Sequence, residues 1–237
     1  MLYLSAMIDY KQEAAKAALT LISPNQTIGL GAGSTIAHLV NMLAQNPELA
    51  ASLTFTSSSF KTTQLLSKHR LRIQSPALLN KLDIYFDGCD QFDSELNALK
   101  SGGGIHTTEK VLASMAQEFI LLGDEGKFSP QLNATYPLVI EILPQALQIV
   151  LAKLSALFPS ATLTQRMSTQ KDGALISDNG NMLVDVLFTE LPEPVKLNTL
   201  VKMIPGVVEH SLFYQIATKA IIAGENGIRT ILPQQKI

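Results

Sequence analysis

Two aspartates, a lysine and a glutamate stand out within one short stretch, Asp83 to Lys110, which reads DIYFDGCDQFDSELNALKSGGGIHTTEK. Asp87 and Asp90 flank a bend at Gly88, Lys100 precedes Ser101 and three consecutive glycines, and Glu109 opens a segment with helical periodicity, VLASMAQEF. Carboxylates take up and release protons and an ammonium holds negative charge where it develops, so the set has what acid–base chemistry needs. Taken singly, each residue has an ordinary explanation. Asp87 and Asp90 are turn formers, Glu109 a first-turn acid facing the helix dipole, and Lys100 a solvated lysine. Their gathering on one turn system argues for more. Leu82 to Phe86 reads as an apolar strand, which puts both aspartates at its carboxyl end, where open parallel sheets bind ligands.

Other elements must position that stretch. Apolar residues recur at helical spacing from Asp9 to Leu21 and stop at Ser23-Pro24-Asn25, which predicts a helix with a clear end. Gln26 to Leu30 then reads as a buried strand, GLGAGST as a glycine turn, and Ile36 to Leu43 as a helix. Such a turn offers an anion backbone N–H groups, the positive end of a helix dipole and the hydroxyls of Ser34 and Thr35. Phosphate is the expected ligand. A dinucleotide site needs glycine where Ser34 stands and an acidic residue near Phe55, and a nucleotide P-loop needs a lysine; both are missing. On residues alone, a turn that merely lets strand and helix pack closely remains open beside the phosphate reading.

A strand at Leu53 to Thr56 runs into SSSFKTTQLL, where Ser57, Ser58 and Ser59 cap a helix or touch a ligand, capping being the commoner role. Short strands at Arg72 to Gln74, Leu82 to Phe86 and Phe119 to Leu122 follow, and the last ends in GDEGK, placing Asp124 and Lys127 at another carboxyl-end loop. Alternating strands and helices predict a parallel α/β sheet. Beyond Tyr136 the pattern changes. It runs strand Leu138 to Leu143, helix Pro144 to Leu157, strand Ala161 to Met167, the segments ALIS and MLVDVLF about the Asn179-Gly180 turn, helix Val195 to Met203 and strand Val207 to Phe213. The expected fold is a Rossmann-like parallel α/β domain of residues 1–135 with 215–237. A smaller α+β domain with an antiparallel, ferredoxin-like sheet, residues 136–214, accompanies it. Lacking charged clusters at its loop ends, the small domain reads as a lid or oligomer contact.

Composition excludes several classes. With 46% hydrophobic residues the chain can bury a large core, and a net charge of -2 argues against general nucleic-acid binding. One cysteine, Cys89, rules out an internal disulfide framework and suits a reducing compartment. No stretch is apolar for long enough to span a bilayer and no basic region precedes an apolar core at the amino end, so no membrane association is expected. The expectation is a cytoplasmic protein. Cys89 lacks a nearby histidine and has flanking carboxylates that raise its thiol pKa, so it reads as a small buried residue. His38, His69, His106 and His210 show no metal-ligand spacing, and only His106, beside the glycines, stands near the candidate site.

Taken together, GLGAGST, SSSFKTTQL, DGCD, LKSGGG followed by TEK, DEGK, SDNGN and IPGVVEHSLF resemble the ribose-5-phosphate isomerase A family over nearly the whole chain. The spacing of Lys100, Glu109, Lys110 and Lys127 carries the resemblance most specifically. It implies an aldose–ketose isomerase of the pentose phosphate pathway that interconverts D-ribose 5-phosphate and D-ribulose 5-phosphate without metal or organic cofactor. Glu109 falls at the family's catalytic base, and Asp87, Asp90, Lys100 and Lys127 at substrate-binding positions. Gly33, Ser34 and Thr35 fall on the phosphate loop, and Lys11 near the phosphate. Two departures stand out. Ala32 replaces a threonine, which removes a hydroxyl from the phosphate loop, and Ser101 shifts the glycines to Gly102, Gly103 and Gly104, where its Cβ restricts the loop.

The chemistry implied runs through an enediolate, with Lys100 holding its charge and Asp87 and Asp90 moving hydroxyl protons and assisting ring opening. Repulsion between two carboxylates on one bend favours protonation of one. The implied assembly is a homodimer or a dimer of dimers. The rival readings are a non-catalytic sugar-phosphate sensor, for which no spare helix-turn-helix segment exists, and a CoA transferase or amino-sugar phosphate deaminase, which share only the glycine turn.

Overall fold

The computed structural model describes residues 8–234; residues 1–7 and 235–237, which the domain expectation assigns to the larger unit, lie outside the described residues. Helix α1 (Tyr10–Leu19) is capped by the Asp9 carboxylate, which accepts from the Lys11 and Gln12 N–H groups at 3.1 and 3.3 Å. It is followed by β1 (Thr27–Leu30), α2 (Ser34–Ala44), α3 (Pro47–Ser52), β2 (Thr54–Ser57), α4 (Phe60–Lys68) and β3 (Leu82–Asp87). A tight excursion holds β4 (Gln91–Phe92) and β5 (Ala98–Leu99), and the chain continues through α5 (His106–Met115) into β6 (Ala116–Asp124). Then come β7 (Leu138–Ile142), α6 (Leu147–Leu157), β8 (Thr162–Gln165), β9 (Met182–Leu187), α7 (Pro194–Lys202), β10 (Val207–His210) and β11 (Leu212–Phe213). The hairpin β12 (Lys219–Gly224) and β13 (Gly227–Ile231) closes the described chain.

The main sheet has the order β13-β12-β6-β3-β1-β2 and is parallel except at its β13 edge. Side chains alternate between its faces, as a strand's two-residue period requires. Ile84, Phe86, Ile120 and Leu122 join Ala15, Ala18, Leu39 and Leu43 in one core, while Tyr85, Phe119 and Leu121 join Leu112 of α5 in another. Asp87 therefore falls on the face that α5 covers. The chain moves outward from β1 to β2 and then returns to place β3 on the opposite side of β1. Such a reversal splays the loops apart and leaves a crevice at the carboxyl ends of the two strands.

A second sheet, order β10-β7-β9-β8, is antiparallel throughout and follows the strand–helix–strand–strand–helix–strand succession expected of a ferredoxin-like unit. Its core, including Leu138, Ile140, Val150, Val184 and Val201, lies between that sheet and helices α6 and α7. A third sheet, β11-β5-β4, joins the excursion after Asp90 to Leu212–Phe213, and its two-residue strands are too short to leave a periodic signal.

Several expectations are corrected. Arg72 to Gln74 is not a strand but one bridge between Ile73 and Phe55, held by two backbone bonds of 2.8 Å. The helical pattern of VLASMAQEF stops at Met115, because pairing of Ala116 with Leu82 and Glu118 with Ile84 draws the rest into β6. ALIS forms only isolated bridges, although the turn after it is tight: Ser177 N–H donates to Asn181 O at 2.8 Å and Gly180 has φ +80°. Val207 to Phe213 divides at Ser211, whose N–H donates to Val139 O while its carbonyl accepts from Lys100 N–H, so the strand changes sheets there. The small sheet also carries a buried acid, Glu141, ringed by neutral polar side chains, which the sequence pattern did not reveal.

Candidate active site

β3 delivers Asp87 to the crevice, and the β4–β5 hairpin brings the chain back so that Lys100 stands beside it; Asp90 N–H donates to Leu99 O at 2.9 Å across the neck. Lys100 Nζ lies 2.9 Å from Asp87 Oδ2 and 3.4 Å from Glu109 Oε1, and it also donates to the Gly88 carbonyl. Glu109 reaches this cluster from the first turn of α5 and is 5% exposed.

Asp87 has every lone pair engaged. Oδ1 accepts from Gly88 N–H at 2.8 Å and Ala32 N–H at 3.2 Å, and Oδ2 accepts from the Tyr85 hydroxyl at 2.6 Å as well as from Lys100. This close approach is why Gly31 lacks a side chain: a Cβ there would stand 1.9 Å from the Asp87 carboxyl. Asp90 is placed differently. Its Oδ2 accepts from Ser101 N–H at 2.5 Å and Gly102 N–H at 3.1 Å, while its Oδ1 has no hydrogen bond among the described residues.

The electrostatics follow from this packing. Burial, and then repulsion from Asp87, push the Glu109 carboxyl up to about 8 even though Lys100 pulls it back. For Lys100 burial works to lower the pKa, but attraction by Asp87 and Glu109 outweighs it and carries the ammonium above its ordinary value. Cys89 is half-buried on the cavity wall, and burial more than its acidic neighbours drives its thiol up to about 12. It is no nucleophile near neutral pH.

A cavity of about 560 Å³ opens above the cluster. Asp87, Asp90, Lys100 and Glu109 line it on one side, and Ala32, Gly33, Ser34 and Thr35 on another. Gly33 takes φ +97° with no side-chain cap on α2, leaving the first-turn N–H groups to face the opening. By contrast Ser59 caps α4 by accepting from Thr62 N–H at 3.3 Å, and Ser57 and Ser58 bond to Ser59 and Tyr85. The cap reading therefore holds for Ser59 alone of the three, and Ser59 also reaches the cavity wall. Lys11 and Lys127 line the cavity, as does Lys61, and none of the three has a carboxylate partner among the described residues.

Not every candidate sits where the spacing placed it. Gly102 and Gly103 border the cavity, but Ser101 does not: its hydroxyl donates to Pro137 O at 2.5 Å and its carbonyl accepts from Arg166 Nη2 at 2.5 Å. Its Cβ anchors the loop from behind. His106 is fully buried, makes one 3.3 Å contact between Nε2 and Glu209 O, and does not reach the cavity. Tyr85, Lys61, Arg166 and Asp178 escaped the sequence reading. The SDNGN turn was legible, but its Asp178 lines a cavity built mostly from residues 70 or more positions earlier, which no local pattern encodes.

The profile of ribose 5-phosphate isomerase A (phosphoriboisomerase A) matches residues 54–227. The chain belongs to the ribose 5-phosphate isomerase A family. It is 36% identical to the ribose-5-phosphate isomerase A of Thermosynechococcus vestitus, over 93% of each chain, and 36% identical to that of Methanosarcina acetivorans, over 95% of each. The solved ribose 5-phosphate isomerase A of Methanocaldococcus jannaschii superposes with a TM-score of 0.87 at 32% identity, covering 94% of this chain and 98% of that one. A D-ribose-5-phosphate isomerase solved in complex with phospho-erythronic acid gives the same values. This member of the ribose 5-phosphate isomerase A family thus has a main parallel sheet, a separate antiparallel sheet and an acid–lysine cluster where they meet.

Proposed function

We propose that this chain interconverts D-ribose 5-phosphate and D-ribulose 5-phosphate, with Glu109 as the base that moves a proton between C2 and C1. The observation that carries the reading is the placement of Glu109: a carboxyl raised to about 8, 3.4 Å from a lysine, on the wall of a cavity with three lysines that have no carboxylate partner among the described residues. A base poised near the working pH transfers protons in both directions, as a reversible isomerisation needs.

The sugar's phosphate binds among Lys11, Lys127 and the Gly33-Ser34-Thr35 turn, and Lys61 adds to that positive field. Ala32 offers no hydroxyl there, so backbone N–H groups carry more of the binding. Ionised Glu109 takes the C2 proton and the electron pair forms the C1–C2 double bond, leaving negative charge on O1 beside Lys100. Asp90, with its free Oδ1, carries the proton from the C2 hydroxyl to O1 and assists ring opening. Glu109 then returns its proton to C1. Asp87, saturated by four donors, holds Lys100 in place and raises Glu109. Likeness to a relative that binds phospho-erythronic acid, a phosphorylated four-carbon acid, supports the phosphate and carboxylate-like charge that this site is built to hold.

The larger division, residues 1–135 with 215–237, is the catalytic domain in this reading, and 136–214 the lid or oligomer-forming domain. A cytoplasmic homodimer or dimer of dimers completes it, consistent with the single cysteine and with no described helix long and apolar enough to cross a membrane. Light scattering that finds only monomer at working concentration removes the assembly.

The deciding experiment is conversion of ribose 5-phosphate by the purified protein beside Glu109→Gln. A loss of about 10²-fold or more is expected. Equal activity in both moves the base elsewhere, and binding without turnover in either returns the sensor reading.

A further inference from the structure

Glu141 lies in the middle of β7 with no exposed surface, and no cation stands within ion-pair distance among the described residues. A buried carboxylate without a partner costs several kcal/mol, so what surrounds this one explains its presence. Ser177 Oγ donates to Oε1 at 2.6 Å and Asn181 Nδ2 at 2.8 Å, Asn179 Nδ2 reaches both oxygens at 3.2 and 3.4 Å, and Thr107 Oγ1 donates to Oε2. Burial opposes the charge, but these donors together hold the carboxyl below the usual range.

The donors come from two separate segments of the chain. Thr107 belongs to the first turn of α5, two residues before Glu109, whereas Ser177, Asn179 and Asn181 surround Asp178; Glu109 and Asp178 both line the cavity. One carboxylate therefore fastens the helix that carries the base to the turn that carries Asp178. We propose that Glu141 is a positioning residue for the isomerisation: through Thr107 it sets the reach of Glu109, and through Ser177, Asn179 and Asn181 it holds Asp178 against the substrate's hydroxyls. The proposal rests on Glu109 being the base.

Glu141→Gln keeps the volume but turns one acceptor into an amide donor, which in either orientation faces the Asn179 amide and loses a charge-assisted bond to one of the two segments. A displacement of about 1 Å at a reacting group is worth about 10²-fold in rate. Glu141→Gln is expected to lower kcat about 10-fold or more and to raise KM for ribose 5-phosphate, in protein assayed well below its own Tm. Thr107→Val cuts only the helix tether and is expected to lower kcat with KM unchanged, whereas Asn179→Ala, on the turn, raises KM with kcat nearly unchanged. A merely structural carboxylate predicts lower Tm in all three with wild-type kcat and KM in the folded protein, and that result overturns the proposal. If Glu141→Gln does not fold, Thr107→Val decides by the same split. Glu109→Gln runs beside them: inactive there with a fully active Glu141→Gln, this inference alone fails, while an active Glu109→Gln removes the base assignment beneath it.

Discussion

Glu109 and Lys110 are neighbours on α5, yet they enter two charge clusters of opposite composition, one buried and one partly exposed. Around Glu109 two carboxylates share one ammonium, that of Lys100. Around Lys110 two lysines share one carboxylate: Glu209 lies 2.9 Å from Lys110 and 2.8 Å from Lys202. Burial works to raise both glutamates, and the count of charges decides the outcome. With acid in excess Glu109 rises to about 8; with base in excess Glu209 is held down to about 2. His210, beside the second cluster, is pushed to about 3 by burial and then by Lys110, so it stays neutral. Only the first cluster borders the cavity. An imbalance toward acid beside the cavity yields a group that titrates near neutral pH, and an imbalance toward base away from it yields a carboxylate held ionised.

Exchanging the two lysines tests that contrast most strongly. Lys100→Met should lower kcat by about 10²- to 10³-fold with a modest change in Tm, because Glu109 can take up a proton once its cation has gone. Lys110→Met should leave kcat of the folded enzyme near wild type but lose about 1 kcal/mol, since the exposed Lys202 still pairs the partly buried Glu209; thermal melts and kinetics on the same samples separate the two. If both variants lose activity alike, the clusters are not functionally distinct.

The pH profile of kcat/KM sharpens the comparison within the first cluster. A base that must be ionised gives activity that rises with pH through its pKa, here about 8 in the free enzyme. Repulsion by Asp87 is the second largest cause of that value, so Asp87→Asn should move the rising limb to lower pH while reducing the plateau. Lys100→Met should move it up. A limb that stays in place in Asp87→Asn shows that some other group titrates.

The smallest effect is on stability, and its sign differs between the clusters. Glu209 has a folded pKa below its ordinary value of 4.5, so its contribution is present above 4.5 and is lost as pH falls towards about 2. Glu109 has a folded pKa above 4.5, so its contribution is full below 4.5 and is lost as pH rises through about 8. Denaturant titrations across pH should find the acid-side loss flattened in Glu209→Gln and the neutral-side decline flattened in Glu109→Gln. The reverse pairing would overturn the assignment of charge balance.

Much of the fold was legible because its signals are local. GLGAGST joins a strand to a helix by a visible change of period, Asn179-Gly180 marks a turn, and the spacing of Lys100, Glu109 and Lys127 marks the candidate site. What escaped depends on distant partners. Gln117 to Phe119 continue a helical pattern but pair with β3, and a strand-like run to Phe213 breaks at Ser211 because two sheets compete for its backbone. The β4–β5 hairpin offers only two residues on each side, yet it is what returns Lys100 to Asp87.

Most of the order of elements, the chemical groups available and the glycine turn between β1 and α2 were legible from residue type and spacing alone, since helix periods, strand periods and glycine conformations act over a few residues. Which groups became partners was decided only by folding. Thr107 meets Glu141 across 34 positions and Lys110 meets Glu209 across 99. Charge balance and burial, which make one glutamate titratable and another permanently ionised, exist only once those distant residues are in contact, because a pKa reports the solvent and the neighbours a group has in space.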